Sequence, residues 1–185
     1  MIRNARPEDA EQVMPLIWSA IGTIAHSLAG TDDDAEANRI LTSFYRVRGN
    51  RISYENVIVE ERDGRVAGMA LAYDGGSADR LDRPFVERIE RETGRTGYTI
   101  AKEPQPNEYY LDSLAVAEPF QGQGIAKSLM GAFERKAAES GFARVSLIVE
   151  PDNERAIGLY GNMGYREDGV LQVSGKRFVR MVKPV

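Results

Sequence analysis

The sequence predicts a protein of the mixed α/β class, in which short strands alternate with amphipathic helices. Two runs carry apolar residues at helical spacing, one at 13–21 and one at 125–137 that follows a glycine-rich turn. Short runs rich in β-branched and aromatic residues separate them and have the composition of strands. The chain has 185 residues, of which 42% are hydrophobic and 28% are charged, values that are ordinary for a globular protein. We therefore predict one domain that spans 1–185.

The first half of the chain is predicted to contain three strands and two helices. Pro7 suits the first turn of a helix, and the neighbouring Glu8 and Asp9 favour the positive end of that helix. Asp63–Gly64 is a dipeptide typical of a tight hairpin turn. In chain order, the predicted elements are a strand at 2–5, a helix from Pro7 onward, a helix at about 33–47 capped by Thr31 or Asp32, and strands at 57–61 and 65–73.

Residues 75–107 form the longest connection between predicted elements. They include three prolines and four glycines, and only the stretch "PFVERIERET" (84–93) is compatible with a short helix. Connections of this length are usually functional or mobile. We therefore expect this inserted segment to do more than join two strands.

The second half of the chain again alternates strand and helix patterns. Gly141 is typical of the residue that ends a helix, and Ser174–Gly175 is typical of a hairpin turn. The closing hairpin also offers an edge that could pair with a second subunit, so a homodimer is compatible with the sequence. The predicted elements are a strand at 109–116, a helix that ends at Gly141, a strand at 143–150, a short helix within 153–165, and the hairpin.

Composition and charge exclude several classes of function. The chain has no cysteine, so disulfides, thiolate catalysis and cysteine metal sites are ruled out, and we expect a cytoplasmic protein without a bound metal. The formal net charge of −4 argues against a nucleic-acid surface, which usually needs a basic excess. No apolar run approaches the roughly 20 residues that cross a bilayer, so we expect no membrane partner.

The segment "QGQGIAKS", which starts at Gln121, has the glycines of a phosphate-binding turn. The P-loop pattern fails, because it requires glycine where the chain has Gln121 and Ala126. The dinucleotide pattern G-x-G-x-x-G fits Gly122 and Gly124 but fails at Lys127, where close packing needs a small residue. A third arrangement, Gln121-x-x-Gly124-x-Ala126, fits at every position.

The residues of this turn also indicate which ligand it can hold. Glycine lets backbone N–H groups approach a ligand closely, and Ala126 is small enough not to obstruct that approach. The start of the following helix carries about half a positive charge. Together these features favour a pyrophosphate at the turn.

The third arrangement is similar to the acetyl-CoA signature of the GNAT family of N-acetyltransferases. Further along, "NERAIGLYGNMGY" resembles the family's N-x-x-A-x-x-L-Y-x-x-x-G-[FY] segment. The resemblance covers most of the chain and is sharpest over 109–165, whereas 75–107 has no counterpart. The positions of this second segment that match are Asn153, Ala156, Leu159, Tyr160, Gly164 and Tyr165.

The resemblance implies a central twisted, mostly antiparallel sheet of about seven strands, with helices on both faces. Its strands at 109–116 and 143–150 would lie parallel and splay apart at one end. The pantetheine arm of acetyl-CoA would insert there and hydrogen-bond the exposed backbone like another strand. The implied cofactor-binding residues are Leu114, Ala115, Val116, Gln121, Gly122, Gln123, Gly124, Ile125, Ala126, Lys127, Asn153 and Tyr160.

The resemblance also implies catalytic roles. Tyr160 occupies the family's usual general-acid position, and a phenol of pKa about 10 can protonate a thiolate whose free pKa is about 8.5. Glu108 stands where some family members place a glutamate that deprotonates the amine through water. Asp112 or water alone are the alternatives for the base, and a backbone N–H near Val116 would meet the oxyanion.

The sequence thus predicts an acetyl-CoA-dependent N-acetyltransferase that acts by direct transfer on a primary amine of a small molecule or peptide. The alternative is a non-catalytic acyl-CoA-binding or sensing module of the same fold, which the presence of Tyr160 disfavours. The inserted segment 75–107, with the region around 27–34, is predicted to wall the acceptor side as a lid or rim.

Overall fold

The computed structural model describes all 185 residues and contains one seven-stranded sheet and six α-helices. None of the helices combines the length and the apolar composition that a bilayer span requires. The strands are β1 (Ile2–Asn4), β2 (Val57–Arg62), β3 (Arg65–Asp74), β4 (Tyr109–Val116), β5 (Arg144–Val149), β6 (Arg166–Val173) and β7 (Lys176–Pro184). The helices are α1 (Ala10–Ile21), α2 (Ile24–Ala29), α3 (Asp34–Tyr45), α4 (Ala78–Thr93), α5 (Ile125–Glu139) and α6 (Glu154–Asn162).

The strands lie in the order β1-β2-β3-β4-β5-β7-β6, and every neighbouring pair is antiparallel except β4 and β5. These two strands pair over only three residues, from Tyr109–Val145 to Leu111–Leu147. Beyond Leu111, β4 continues to Val116 without a partner in β5. The parallel pair therefore forms a fork, and the predicted fold class is confirmed.

The sheet buries a different set of side chains on each face. Successive residues of a strand point to opposite faces, and β2 shows this clearly at Ile58 and Val59. Val59 belongs to a core of 24 buried residues that α1, α3 and α4 cover. Ile58 belongs to a second core of 18 buried residues under α5 and α6. The helices thus lie on both faces, as the family resemblance implied.

Helix α5 packs directly on the strand next to the fork. Ile125, Leu129 and Phe133 recur every four residues and are fully buried. At Gly68 in β3 the approach is so close that an added Cβ would lie 2.9 Å from the Ala115 carbonyl oxygen and 3.1 Å from Leu129. This contact fixes the start of α5 beside the open end of β4.

The inserted segment contains more helix than its prolines suggested. Instead of a short helix within 84–93, the 16-residue α4 begins at Ala78 and runs through Pro84. Leu81, Phe85 and Ile89 form a buried stripe along it, and we attribute the tolerance of the internal proline to this burial. Helix α2 was not predicted from the sequence. The side chain that caps α3 is Asp33, whereas Thr31 or Asp32 was predicted.

Candidate active site

The open end of the fork is a cavity of about 710 Å³, which we call the cofactor cavity. Its wall combines the end of β4, the glycine turn, the start of α5 and one side of α6. Of the twelve predicted cofactor-binding residues, only Gln123 is not on this wall. Its side-chain amide donates a hydrogen bond to the Pro119 carbonyl at 3.2 Å instead. The predicted residues on the wall are Leu114, Ala115, Val116, Gln121, Gly122, Gly124, Ile125, Ala126, Lys127, Asn153 and Tyr160.

The glycines of the turn have the backbone conformation that other residues avoid. Gly122 and Gly124 have φ of +75° and +78°, and Gly124 is the N-cap of α5. A Cβ at either position would meet no atom within 4 Å. The turn therefore presents bare backbone to open space, where a ligand can approach it.

Most backbone N–H groups of the turn form no hydrogen bond within the protein. Among 121–127, the Gln121 N–H donates to the Glu118 carbonyl, whereas the next three amides take part in none of the hydrogen bonds formed by turns and loops. Ile125, Ala126 and Lys127 form the first turn of α5, whose N–H groups have no carbonyl one turn earlier in the helix. A row of donors at the positive end of a helix suits a diphosphate.

The end of β4 offers a second row of backbone groups. Leu114, Ala115 and Val116 pair with β3 on one side, and no strand pairs with them on the other. An extended ligand that carries amide groups can bind such an edge as an added strand. The pantetheine arm of coenzyme A is a ligand of this kind.

Two residues of α6 lie on the other wall of the fork. The Asn153 side chain caps the helix by accepting a hydrogen bond from the Ala156 N–H at 3.1 Å. Tyr160 is 8% exposed and lines both the cofactor cavity and a second space, the acceptor cavity, of about 400 Å³. Burial raises the pKa of Tyr160 to about 12, and no hydrogen bond contributes to this shift. The phenol therefore keeps its proton at neutral pH.

Glu108 does not line any of these cavities. Its side chain is fully buried at the closed end of the fork, where both of its oxygens accept hydrogen bonds from Arg180 at 2.7 and 2.6 Å. Burial alone would raise the pKa of Glu108, but hydrogen bonds from Arg180 and from the Gln105 N–H outweigh it and lower the pKa below 4.5. A strongly paired carboxylate of low pKa is a poor base. This placement tells against the predicted catalytic role and indicates a structural one.

Asp112 is the one predicted base candidate that reaches the acceptor cavity. It lies at a β-bulge, because Leu71 pairs with Ser113 and the next residue of β3 pairs with Leu111. Its oxygens accept hydrogen bonds from Arg51 at 2.6 Å, from the Tyr73 hydroxyl at 2.8 Å and from the Ser113 hydroxyl at 2.9 Å. These three donors hold the carboxylate in the wall of the acceptor cavity.

Sequence reasoning missed Arg51, which contacts Asp112 on the wall of the acceptor cavity. Its guanidinium is 4% exposed and contacts three carboxylates: Asp112 at 2.6 Å, Glu103 at 2.7 Å and Asp82 at 3.7 Å. We call these four residues the Arg51 cluster. Burial would lower the pKa of Arg51, but the surrounding negative charges raise it well above its ordinary value. No local pattern signals this residue, because its hydrogen-bond partners lie 52 and 61 positions away in the chain.

Comparison with known proteins agrees with the geometry. Residues 28–165 match the acetyltransferase (GNAT) family, and because this match covers most of the chain, the protein belongs to that family. The predicted family is thereby confirmed. An acetyltransferase activity follows from membership at the level of the family, and the family's co-substrate is acetyl-CoA.

Solved structures show the same fold over the whole chain. A protein described as an acetyltransferase is 29% identical with a TM-score of 0.79, and the match covers 100% of this chain and 99% of that one. An N-acetyltransferase from Staphylococcus aureus Mu50 is 22% identical with a TM-score of 0.78, covering 99% and 100%. A ribosomal-protein-alanine N-acetyltransferase from Brucella melitensis is 20% identical with a TM-score of 0.61, covering 100% and 99%.

Proposed function

We propose that the protein is an acetyl-CoA-dependent N-acetyltransferase that transfers the acetyl group directly to a primary amine. One observation carries the proposal: a single cavity joins the free amides of the glycine turn, the unpaired edge of β4 and the Tyr160 phenol. A diphosphate, an amide-bearing arm and a leaving thiol would meet these three features in that order along coenzyme A.

Acetyl-CoA would supply a thioester, whose acyl carbon is open to attack by a neutral amine. The chain's part is to orient that carbon between the two cavities, where Tyr160 lines both. Tyr160 would give its phenolic proton to the departing sulfur, and the proton that the amine releases to water would restore the phenol, which is neutral at pH 7. A backbone N–H near Val116 would stabilise the negative charge on the carbonyl oxygen.

The amine would lose its proton to water rather than to a side chain. Glu108 lies at the closed end of the fork, and the oxygens of Asp112 already accept three hydrogen bonds. Of the alternatives that the sequence left open, water remains, and a water in the acceptor cavity would take the proton.

The proposal is tested by combining calorimetry with a thiol-release assay. We expect coenzyme A and acetyl-CoA to bind with measurable heat, and free thiol to appear when acetyl-CoA is mixed with at least one amine of a broad panel. Binding without release on any amine would favour the non-catalytic acyl-CoA sensor. An absence of binding would contradict both functions.

A further inference from the structure

The acceptor cavity adjoins another space that no part of the proposed reaction uses. This inner cavity, of about 260 Å³, is lined by Arg51, by Glu103 and its neighbours in the inserted segment, and by α2. It shares Ile24 and the hairpin tip Val173–Ser174 with the acceptor cavity. The cofactor, acceptor and inner cavities therefore lie in a row, with Tyr160 at the first junction.

The wall of the inner cavity is held in place by contacts across the fold. The Tyr98 hydroxyl donates a hydrogen bond to the Ser27 carbonyl at 2.6 Å, which joins the inserted segment to α2. Glu103 accepts hydrogen bonds from Arg51 and from the Tyr110 hydroxyl and is itself buried. The inner cavity thus lies between α2 and a coil segment, 98–103, that these hydrogen bonds hold in place, and the far end of an extended ligand in the acceptor cavity could enter it.

Arg51 and Glu103, the charged residues that line this space, balance each other, and the excess of negative charge comes from two further carboxylates that contact Arg51: Asp112, on the wall of the acceptor cavity, and Asp82. One guanidinium in the Arg51 cluster faces three carboxylates, which leaves an excess of two negative charges when all are ionised. Each side of the Arg51 guanidinium already faces a carboxylate, so Arg51 has no free direction for an anionic ligand. In the acceptor cavity the only lysine, Lys176, lies 3.6 Å from Glu150. An anion would find no unpaired cation, whereas a cation would meet a surplus of carboxylate.

We propose that the inner cavity is a subsite for the far end of the acceptor and that it selects a second positively charged group. The acceptor class is a linear diamine or oligoamine, with one amine at the Tyr160 junction and the other near Glu103. The inference rests on the proposed function, because it assigns the acceptor of the same site. It also gives the inserted segment a role as the wall that recognises the acceptor.

The test compares amines that share a four-carbon spacer and differ only at the far end. Putrescine ends in an ammonium group, n-pentylamine in a methyl group and δ-aminovalerate in a carboxylate. Thiol release from acetyl-CoA is measured with each, and spermidine extends the series. We expect kcat/KM for putrescine or spermidine to exceed that for n-pentylamine at least about tenfold, and δ-aminovalerate to be the poorest.

A variant pair assigns the preference to the inner cavity. Glu103→Gln keeps the side-chain size and removes one negative charge, so the ratio of kcat/KM between putrescine and n-pentylamine should fall at least about threefold. Asp79→Asn makes the same change of charge on the exposed face of α4, where Asp79 pairs with Lys102, and should leave the ratio unchanged. Because the ratio is taken within one protein, partial loss of folded Glu103→Gln does not affect it.

The outcomes separate this inference from the function on which it rests. Release with n-pentylamine or δ-aminovalerate as good as with the diamines would overturn the subsite and leave the acetyltransferase intact. An equal fall of the ratio in Asp79→Asn would also overturn it, because the preference would then come from overall charge. No release with any amine, despite heat on binding acetyl-CoA, would reject the proposed function and the subsite with it.

Discussion

The two sides of the fork are built in different ways. The cofactor side takes nearly all of its residues from one stretch, 114–160, in which a strand, a turn and two helix starts follow one another. The acceptor side uses part of the same region, 111–114 and 147–160, and adds residues from α1, α2, the inserted segment and the closing hairpin. The first side offers mostly backbone groups to a ligand and the second mostly side chains. The first is therefore suited to one constant ligand, and the second to a ligand that can change between relatives of the same fold.

The largest effect is expected at the closed end of the fork, outside both cavities. Glu108→Gln should lower the free energy of unfolding by about 3 kcal/mol, because buried Arg180 then keeps only the partly exposed Asp168 as a charged partner. The turnover of the folded fraction should change little. Chemical denaturation measures the first quantity, and Glu139→Gln at the exposed end of α5 is the control.

The pH dependence of this effect has a defined sign. The folded pKa of Glu108 lies below its ordinary value of 4.5, so its stabilisation is present above pH 4.5 and is lost as pH falls through the folded pKa. The difference between wild type and Glu108→Gln should therefore narrow in acid. Unchanged stability together with lost turnover would instead restore Glu108 as the catalytic base.

The next largest effect is expected at the junction of the two cavities. Tyr160→Phe should lower kcat about 100-fold or more, because the sulfur then leaves without a proton. The dissociation constant of acetyl-CoA should stay within about twofold, since the ring remains in the wall. Tyr165→Phe removes the neighbouring hydroxyl, which lines neither cavity, and should not reduce kcat. Equal turnover in wild type and Tyr160→Phe would remove the acid from the mechanism.

A smaller effect of opposite direction is expected on the acceptor side. Burial raises the pKa of Asp82 from 3.8 to about 6, so the folded state binds more protons than the unfolded state between these values. Stability should fall as pH rises through this window, and Asp82→Asn should remove the fall. We expect the variant to be more stable at pH 7 by about 1–3 kcal/mol and nearly equal to wild type in acid. A variant that is less stable at pH 7 would show that attraction to Arg51 outweighs the burial.

The smallest effect is expected on the cofactor side alone. Gly124→Ala should weaken acetyl-CoA binding about tenfold and leave the KM of the amine unchanged, because alanine is strained at φ +78° and shifts the turn. Gly141→Ala is the matched control, since Gly141 has φ +83° at the other end of α5 and also faces open space. An equal loss of affinity in both variants would mean that the weaker binding comes from a less stable α5 and not from a shifted turn.

The contrast between the two sides also explains which features the sequence could predict. The pattern from Gln121 to Lys127 predicts the local backbone conformation, because adjacent residues largely determine that conformation. Eleven of the twelve cofactor-binding residues that the family resemblance implied lie on one cavity wall, and six of them belong to this pattern, although their roles stay predictions. The Arg51 cluster depends on pairings across 52 and 61 positions, which no short pattern encodes.

Two of the departures of the structure from the sequence predictions, at Pro84 and at Glu108, have the same origin. Pro84 suggested that helix would begin only there, whereas the buried stripe of α4 extends the helix back to Ala78. The family resemblance implied that Glu108 deprotonates the amine, whereas Arg180, on a strand two positions away in the sheet, binds its carboxylate. In both cases a tertiary contact overrode the sequence prediction.

The pair formed by Glu108 and Arg180 has a consequence for how a ligand enters. It fastens β4 to β7 across the intervening β5 at the end where the strands touch. At the opposite end β4 and β5 do not pair. The pantetheine arm can therefore enter there without breaking hydrogen bonds between strands. Binding of the cofactor would then require no rearrangement of the sheet. We expect its association rate to be limited by diffusional encounter rather than by separation of strands.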